Sequence, residues 1–168
     1  MRFLATLFLA AGTAAAAFPQ AATTPQEMHH LHGDPAAYIA SLDDPARDAW
    51  QKPDEVLKAL ALRPGEVVAD VGAGSGYFTL RLAAAVGDAG RVYAVDVSPD
   101  MIRHLNRRLR DAGVRNVVPV LSDPDDPLLP DASVDRFLIV DTWHHIEGQP
   151  KYLGLLKRML KPGGQVVH

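Results

Sequence analysis

The 168-residue sequence contains no cysteine, which rules out disulfides, thiolate metal sites, cysteine nucleophiles and lipidation at an N-terminal cysteine. It also lacks an excess of positive charge, since its formal net charge is −3 at pH 7. No broad basic surface therefore indicates a nucleic-acid partner. What remains is an ordinary globular balance of 48% apolar and 22% charged residues, in a length that suits one domain.

The N-terminus has the pattern of a secretory signal peptide. Arg2 supplies a positive charge, residues 3–11 form an apolar stretch, and residues 14–17 offer small-residue cleavage sites. We predict cleavage after Ala17, with Ala22 as the alternative site, and hence a periplasmic or secreted protein with no stable membrane insertion. The other interpretation is an uncleaved membrane anchor, although the apolar stretch is short for a membrane-spanning helix.

Residues 18–52 are interpreted as an N-terminal arm with short helices. Asp34-Pro35 and Asp44-Pro45 each combine a helix cap with a proline suited to the first helical position. Three histidines of the arm, His29, His30 and His32, lie close to Asp34 in the sequence. Such polar arms often stay solvated, so we predict no metal site.

Residues 53–168 alternate between apolar strands and amphipathic helices. This order predicts an α/β, Rossmann-like, doubly wound fold with a mostly parallel sheet and helices on both faces. The predicted strands are residues 67–71, 91–96, 116–121, 134–140 and 165–168. Helices are expected over residues 53–62, 75–86, 98–112 and 150–160.

A glycine-rich turn follows the first predicted strand. The residues from Asp70 onward read Asp-Val-Gly-Ala-Gly-Ser-Gly, with glycines at positions 72, 74 and 76. Glycines let a ligand approach the main chain, and the helix that follows points its free N–H groups at that ligand. A dinucleotide fingerprint would require a glycine or alanine at position 77, where this chain has Tyr77. A purely structural turn is the other interpretation of this stretch.

The spacing resembles motif I of the class I S-adenosylmethionine (SAM)-dependent methyltransferases, in which an acid precedes a G-x-G-x-G loop. The resemblance extends from about residue 56 to residue 168, because further segments match the family in order. These segments are residues 95–98 (Val-Asp-Val-Ser), 122–124 (Ser-Asp-Pro), 135–146, which end in His-His-Ile, and 160–164 (Leu-Lys-Pro-Gly-Gly).

The resemblance implies SAM as the cofactor and assigns roles to particular residues. Asp70 and the loop amides of Gly72, Ala73, Gly74 and Gly76 would hold the amino-acid part and ribose of SAM. Asp96 would accept hydrogen bonds from the ribose hydroxyls, and Val97 would pack on the adenine. Asp123, followed by Pro124, would accept a hydrogen bond from the adenine amino group, although Asp125 and Asp126 lie close enough in the sequence to substitute.

His144 and His145 follow the fourth predicted strand, beside the expected position of the methyl group. Either could act as a general base, since histidine titrates near neutral pH. A packing or loop hydrogen-bonding role fits the same dipeptide. Arg47, Trp50 and Gln51 are predicted to approach the cofactor or substrate, because related enzymes fold a preceding segment over that site.

The resulting hypothesis is an enzyme that transfers a methyl group from SAM to a small-molecule acceptor. The signal peptide conflicts with the cytoplasmic origin of SAM, so a non-catalytic ligand-binding module on the same fold is the second hypothesis. An NAD(P)-dependent oxidoreductase is the third, and Tyr77 argues against it. The family normally continues into two further strands that form an edge hairpin, so we interpret the chain as truncated at its C-terminus. Oligomeric state has no signature in the sequence.

Overall fold

The computed structural model describes residues 34–168. The proposed signal peptide and His29, His30 and His32 lie outside the described residues. The sheet has five parallel strands, β1 (Val67–Val71), β2 (Arg91–Asp96), β3 (Val117–Leu121), β4 (Val134–Ile139) and β5 (Leu160–Val167). The helices are α1 (Pro35–Leu42), α2 (Asp48–Gln51), α3 (Pro53–Leu60), α4 (Tyr77–Val86), α5 (Pro99–Asp111) and α6 (Gln149–Met159). Two 3₁₀ turns span Pro45–Arg47 and Trp143–His145.

The strand order in the sheet is β3-β2-β1-β4-β5. From β1 the chain winds outward through β2 to β3, then returns past β1 to build β4 and β5 on the other side. The reversal lies between β1 and β4, and their carboxyl ends flank a crevice. In open α/β sheets this is where ligands bind.

The core covers both faces of the sheet, as the doubly wound prediction requires. Alternate strand residues point to opposite sides, so Ala69 and Val71 pack with α6 while Val68 packs with α3 and α4. The helical contributors to the first cluster are Tyr152, Leu156 and Met159, and those to the second include Leu60, Phe78, Leu82 and Val86. All of these residues are buried.

The two cap signals in the arm are confirmed. The Asp34 carboxylate accepts hydrogen bonds from the backbone N–H groups of Ala36 and Ala37 at 3.0 and 3.2 Å, which starts α1. The Asp44 carboxylate accepts one from the Ala46 N–H at 2.8 Å and starts the first 3₁₀ turn. These caps satisfy backbone donors that a helix start leaves unpaired.

The prediction of the fifth strand was wrong in its bounds. It starts at Leu160 rather than at residue 165, and His168 lies outside it. The Lys-Pro-Gly-Gly segment was interpreted as a turn, but it runs within the strand. The pairing with β4 is irregular there, because Val134 pairs with Leu160 whereas Arg136 pairs with Gln165.

The helix expected from residue 75 begins at Tyr77 instead. Gly76 has a φ of +91°, a left-handed conformation that ends the glycine turn and delays the helix. Across residues 34–168, no helix has the length and apolarity needed to cross a membrane.

Candidate functional site

A cavity of about 400 Å³ opens at the carboxyl ends of β1, β2 and β4. The loops after β1, β2, β3 and β4 form its floor and sides, and the arm supplies Pro35, Tyr38, Leu42 and Arg47 as a further wall. Its size and its place at the reversal of strand order are those of a small-ligand site.

The glycine loop is held at the bottom of this cavity by β2. The N–H groups of Gly72 and Ala73 donate to the carbonyl oxygen of Val95 at 2.8 and 3.0 Å. Gly72 has a φ of +76°, and a Cβ at this position would overlap the side chain of Thr142. The close approach of the loop to the β4 side of the cavity therefore depends on the absence of a side chain.

Gly76 has a different task from the other two glycines. It does not line the cavity. A Cβ there would lie 2.5 Å from Leu105 Cδ1, because α5 packs directly against this turn. Of the loop residues predicted to touch a cofactor, the structure brings Gly72, Ala73 and Gly74 to the cavity and leaves Gly76 to helix packing.

Asp70 lies at the end of β1 with only 3% of its surface exposed. Its Oδ2 accepts a hydrogen bond from Thr79 Oγ1 at 2.6 Å. Burial raises the pKa of this carboxyl to about 6, an effect that the Thr79 hydrogen bond opposes and the nearby negative charge of Asp96 reinforces. A cation in the cavity would stabilise the ionised form.

Asp96 lies at the end of β2, where it joins two loops. Its Oδ2 accepts from the Gly74 N–H and its Oδ1 from the Ser98 N–H, both at 2.8 Å. Burial raises the pKa of Asp96, while these backbone hydrogen bonds act in the opposite direction. Val97 follows at the cavity with 55% of its surface exposed. The next loop brings Asp123 and Pro124 to the same cavity.

The two histidines are separated by the 3₁₀ turn that carries them. His145 lines the cavity and His144 does not, although their ring centroids are 4.0 Å apart. The turn is closed by the His145 N–H, which donates to the Thr142 carbonyl at 2.9 Å. His145 is therefore the better placed of the two for the predicted general-base role.

The arm contributes residues that sequence patterns identified only in part. Arg47 lines the cavity, whereas Trp50 is 64% exposed and, like Gln51, lies outside the lining. Tyr38 and Asp141 were not predicted and both line the cavity. Asp141 had a usable signal, because it directly follows an apolar strand at the same edge of the sheet.

Tyr77 fastens the arm to the rest of the domain. Its hydroxyl donates to Asp48 Oδ1 at 2.5 Å, and Arg81 Nη2 reaches both oxygens of Asp48 at 2.9 and 3.0 Å. The Tyr77 ring lies between two guanidinium groups, those of Arg47 and Arg81, each 4.3 Å from its centroid. The side chain that breaks the dinucleotide pattern thus holds the cavity wall in place.

A second attachment joins the arm to α5. Arg108 Nη1 donates to Asp43 Oδ1 at 2.5 Å and to the Ser75 carbonyl at 3.1 Å. Arg108 therefore connects the arm and the glycine loop through one side chain.

The parallel sheet, the acid-bounded glycine loop and the strand-end Asp96 together define a Rossmann-like SAM-dependent methyltransferase fold. The family model described as "Methyltransferase domain" matches residues 68–164. The chain therefore belongs to that family, within the class I SAM-dependent methyltransferases, and SAM is its cofactor.

Individual relatives agree with this assignment. The chain is 31% identical over 119 residues to a ubiquinone/menaquinone biosynthesis C-methyltransferase of Hydrogenovibrio crunogenus, covering 70% of this chain and 46% of the relative. It is 36% identical to a protein-L-isoaspartate O-methyltransferase of Aeropyrum pernix, covering 67% and 41%. The chain thus spans about half the length of the curated relatives it matches.

A solved structure also resembles the fold closely. The crystal structure of a SAM-dependent methyltransferase from Aquifex aeolicus superposes with a TM-score of 0.72 at 37% identity. The match covers 77% of this chain and 68% of that one. The predicted fold class is therefore confirmed.

We expect Asp96→Ala to weaken SAM binding about 10-fold, or ~1.4 kcal/mol. The substitution removes a carboxylate facing the cavity and leaves the Gly74 and Ser98 N–H groups without their acceptor. Isothermal titration calorimetry measures the change. Asp131→Ala is the control, because Asp131 pairs with Arg158 on an exposed surface. Equal affinity in the two variants would contradict a ligand-binding role for Asp96.

Proposed function

We propose that this protein transfers the methyl group of SAM to a small-molecule acceptor. The observation that carries the proposal is the junction at Asp96, whose carboxylate accepts the Gly74 N–H at 2.8 Å. This contact places an acid and the glycine loop on one side of a cavity at the reversal of strand order. Membership of the methyltransferase family supports the same reaction.

Bound SAM would supply a methyl group on a positively charged sulfur, which departs with the bonding electron pair as the acceptor atom forms its new bond to carbon. The task of the chain is to hold the two reactants in line, an effect that can contribute about 7–11 kcal/mol in favourable cases. The ribose and amino-acid parts of the cofactor would face Asp96, Asp70 and the amides of Gly72 and Gly74. The adenine would lie beside Val97 and Asp123.

His145 is the proposed general base for an acceptor that must lose a proton. It lines the cavity from the loop after β4, on the side opposite the Asp96 loop. A positioned base of this kind contributes roughly 10²–10⁴-fold to rate. His144 lies outside the cavity lining and serves as the matched position for substitution.

The acceptor is proposed at the level of a small molecule, which a cavity of about 400 Å³ suits. The two named relatives methylate different atoms, one being a C-methyltransferase and the other an O-methyltransferase. The proposal accordingly names no acceptor atom.

Calorimetry with SAM, S-adenosylhomocysteine and NAD tests the cofactor and the competing hypotheses together. We expect binding of the first two ligands and none of NAD. Binding of NAD without SAM would overturn the proposal. Binding of SAM and S-adenosylhomocysteine with no transfer across a panel of small acceptors would favour the ligand-binding module.

We also propose that residues 1–17 are a signal peptide, that residues 18–52 form the arm and that residues 53–168 form the SAM-binding domain. Support for export comes from Arg2, the apolar stretch at residues 3–11 and the small residues that follow. The mature protein would then be periplasmic or secreted. Intact-mass analysis after cell fractionation tests this, with a new N-terminus at Phe18 as the expected result and a retained Met1 in the membrane fraction as the contrary one.

A further inference from the structure

Two opposite charges meet across the cavity, at a place outside the residues proposed for the adenine and ribose. Arg47 comes from the arm and Asp141 from the loop after β4, and both line the cavity. Arg47 Nη2 lies 3.5 Å from Asp141 Oδ2. The distance is at the outer limit of a hydrogen bond, so little attraction is lost when the two groups separate.

The guanidinium of Arg47 is buried but poorly partnered. Its side chain is only 11% exposed. Nη1 donates to the Leu42 carbonyl at 3.2 Å, whereas Nε is buried and has no hydrogen-bond partner. A buried charged donor without a partner is costly. Stacking on the Tyr77 ring keeps the group in place despite this cost, which leaves it ready to bind an anion.

Arg47 is also the natural anchor for an anion on grounds of charge. Among the residues lining the cavity, all of which belong to the described part of the chain, it is the only lysine or arginine. The acidic lining residues are Asp70, Asp96, Asp100, Asp123 and Asp141. An anionic group entering this cavity is attracted to one position, and a cationic group beside it is attracted to the neighbouring carboxylate.

Asp141 is held in an unusual backbone conformation at that position. Its φ is +54°, a left-handed value that non-glycine residues seldom adopt. The side chain is 57% exposed, so the conformation is not imposed by burial of the carboxylate. Strained backbone of this kind tends to occur at functional sites, and here it accompanies a carboxylate at the cavity wall.

We infer that Arg47 and Asp141 form a recognition site for an α-amino-carboxylate group, with the carboxylate on Arg47 and the ammonium on Asp141. The ligand exchanges one long internal ion pair for two ion pairs of its own. This inference rests on the proposed function, because two ligands of a methyltransferase could carry the group. One is the methionine half of the cofactor, and the other is an amino-acid acceptor.

The test compares ligands that differ only in this group. S-adenosylhomocysteine carries the amino-carboxylate, and 5′-methylthioadenosine keeps the nucleoside and the sulfur without it. Both are titrated by calorimetry into the wild type, Arg47→Gln, Arg47→Lys and Asp141→Asn. Glycine, the minimal α-amino acid, is then titrated into each protein saturated with S-adenosylhomocysteine.

If the cofactor is the source, Arg47→Gln and Asp141→Asn each weaken S-adenosylhomocysteine about 10-fold or more. Methylthioadenosine changes less than about twofold, and Arg47→Lys retains part of the affinity. If the acceptor is the source, S-adenosylhomocysteine binds all variants equally, while glycine binds the wild type and fails to bind Arg47→Gln and Asp141→Asn.

Arg81→Gln is the matched control, because Arg81 stacks on the other side of Tyr77 at the same 4.3 Å and does not line the cavity. Loss of S-adenosylhomocysteine affinity in this variant equal to that in Arg47→Gln would overturn the inference in favour of a structural role. Unchanged affinity for S-adenosylhomocysteine together with no glycine binding in any protein would also overturn it. Failure of the wild type to bind either nucleoside would instead contradict the proposed function.

Discussion

Gly72→Ala is expected to weaken binding of S-adenosylhomocysteine at least about 100-fold, or ~2.7 kcal/mol. The added methyl group meets the Thr142 side chain, and the residue must hold a φ of +76° that alanine disfavours. The left-handed conformation alone costs roughly 1–2 kcal/mol. The overlap must then be relieved by moving the glycine loop or the loop after β4, and both loops line the cavity. Calorimetry measures the loss.

Gly113→Ala separates the two causes. Gly113 has a φ of +67°, so its substitution imposes similar backbone strain, but a Cβ there meets no atom within 4 Å. We expect this control to lose stability and keep ligand affinity. The double variant Gly72→Ala with Thr142→Gly should recover part of the binding, because it removes the overlapping side chain. Equal ligand affinity in Gly72→Ala and Gly113→Ala would contradict the steric argument.

The centre of the fold was predictable because its signals are local. A strand, a glycine turn and a helix succeed one another between residues 67 and 86, and each has its own pattern. Asp96 could be placed at the cavity for a similar reason, since it ends an apolar strand and carboxyl ends of parallel strands meet at one edge of the sheet. The same reasoning would have found Asp141, which follows β4.

The wall of the cavity was harder to predict, because it depends on contacts between distant parts of the chain. Tyr77 and Asp48 are 29 positions apart, and Arg47 and Asp141 are 94 apart. Nothing in the spacing of the arm residues shows that Arg47 turns toward the cavity while Trp50 faces solvent. The difference between His144 and His145 is equally invisible in a dipeptide, because a 3₁₀ turn sets which ring faces the ligand.

The bounds of β5 depend on a similar tertiary effect. Pro162, Gly163 and Gly164 have the composition of a turn. Pairing with β4 nevertheless extends the strand through them, and the two strands absorb the misfit as a register shift. Local propensity was overridden by the neighbouring strand.

The buried carboxylate of Asp70 is expected to reduce stability at neutral pH, so Asp70→Asn should unfold at a higher urea concentration than the wild type. Burial raises its pKa to about 6 from a reference of 3.8. Below the reference value the group is protonated in both the folded and unfolded states and costs nothing. As the pH rises from about 4 to about 6 the unfolded chain releases its proton first, and stability falls by about 2–3 kcal/mol.

Asparagine cannot ionise, and its side-chain oxygen can still accept the hydrogen bond that Thr79 donates to Asp70 at 2.6 Å. The advantage of Asp70→Asn should therefore be about 2–3 kcal/mol at pH 7.5 and vanish near pH 4. Urea unfolding across this pH range measures it, with the exposed Asp131→Asn expected to stay within about 0.5 kcal/mol of the wild type. An advantage that grows as the pH falls would contradict the argument. The same variant should bind SAM less tightly, because the carboxylate that destabilises the fold is the one that would stabilise a cationic ligand in the cavity.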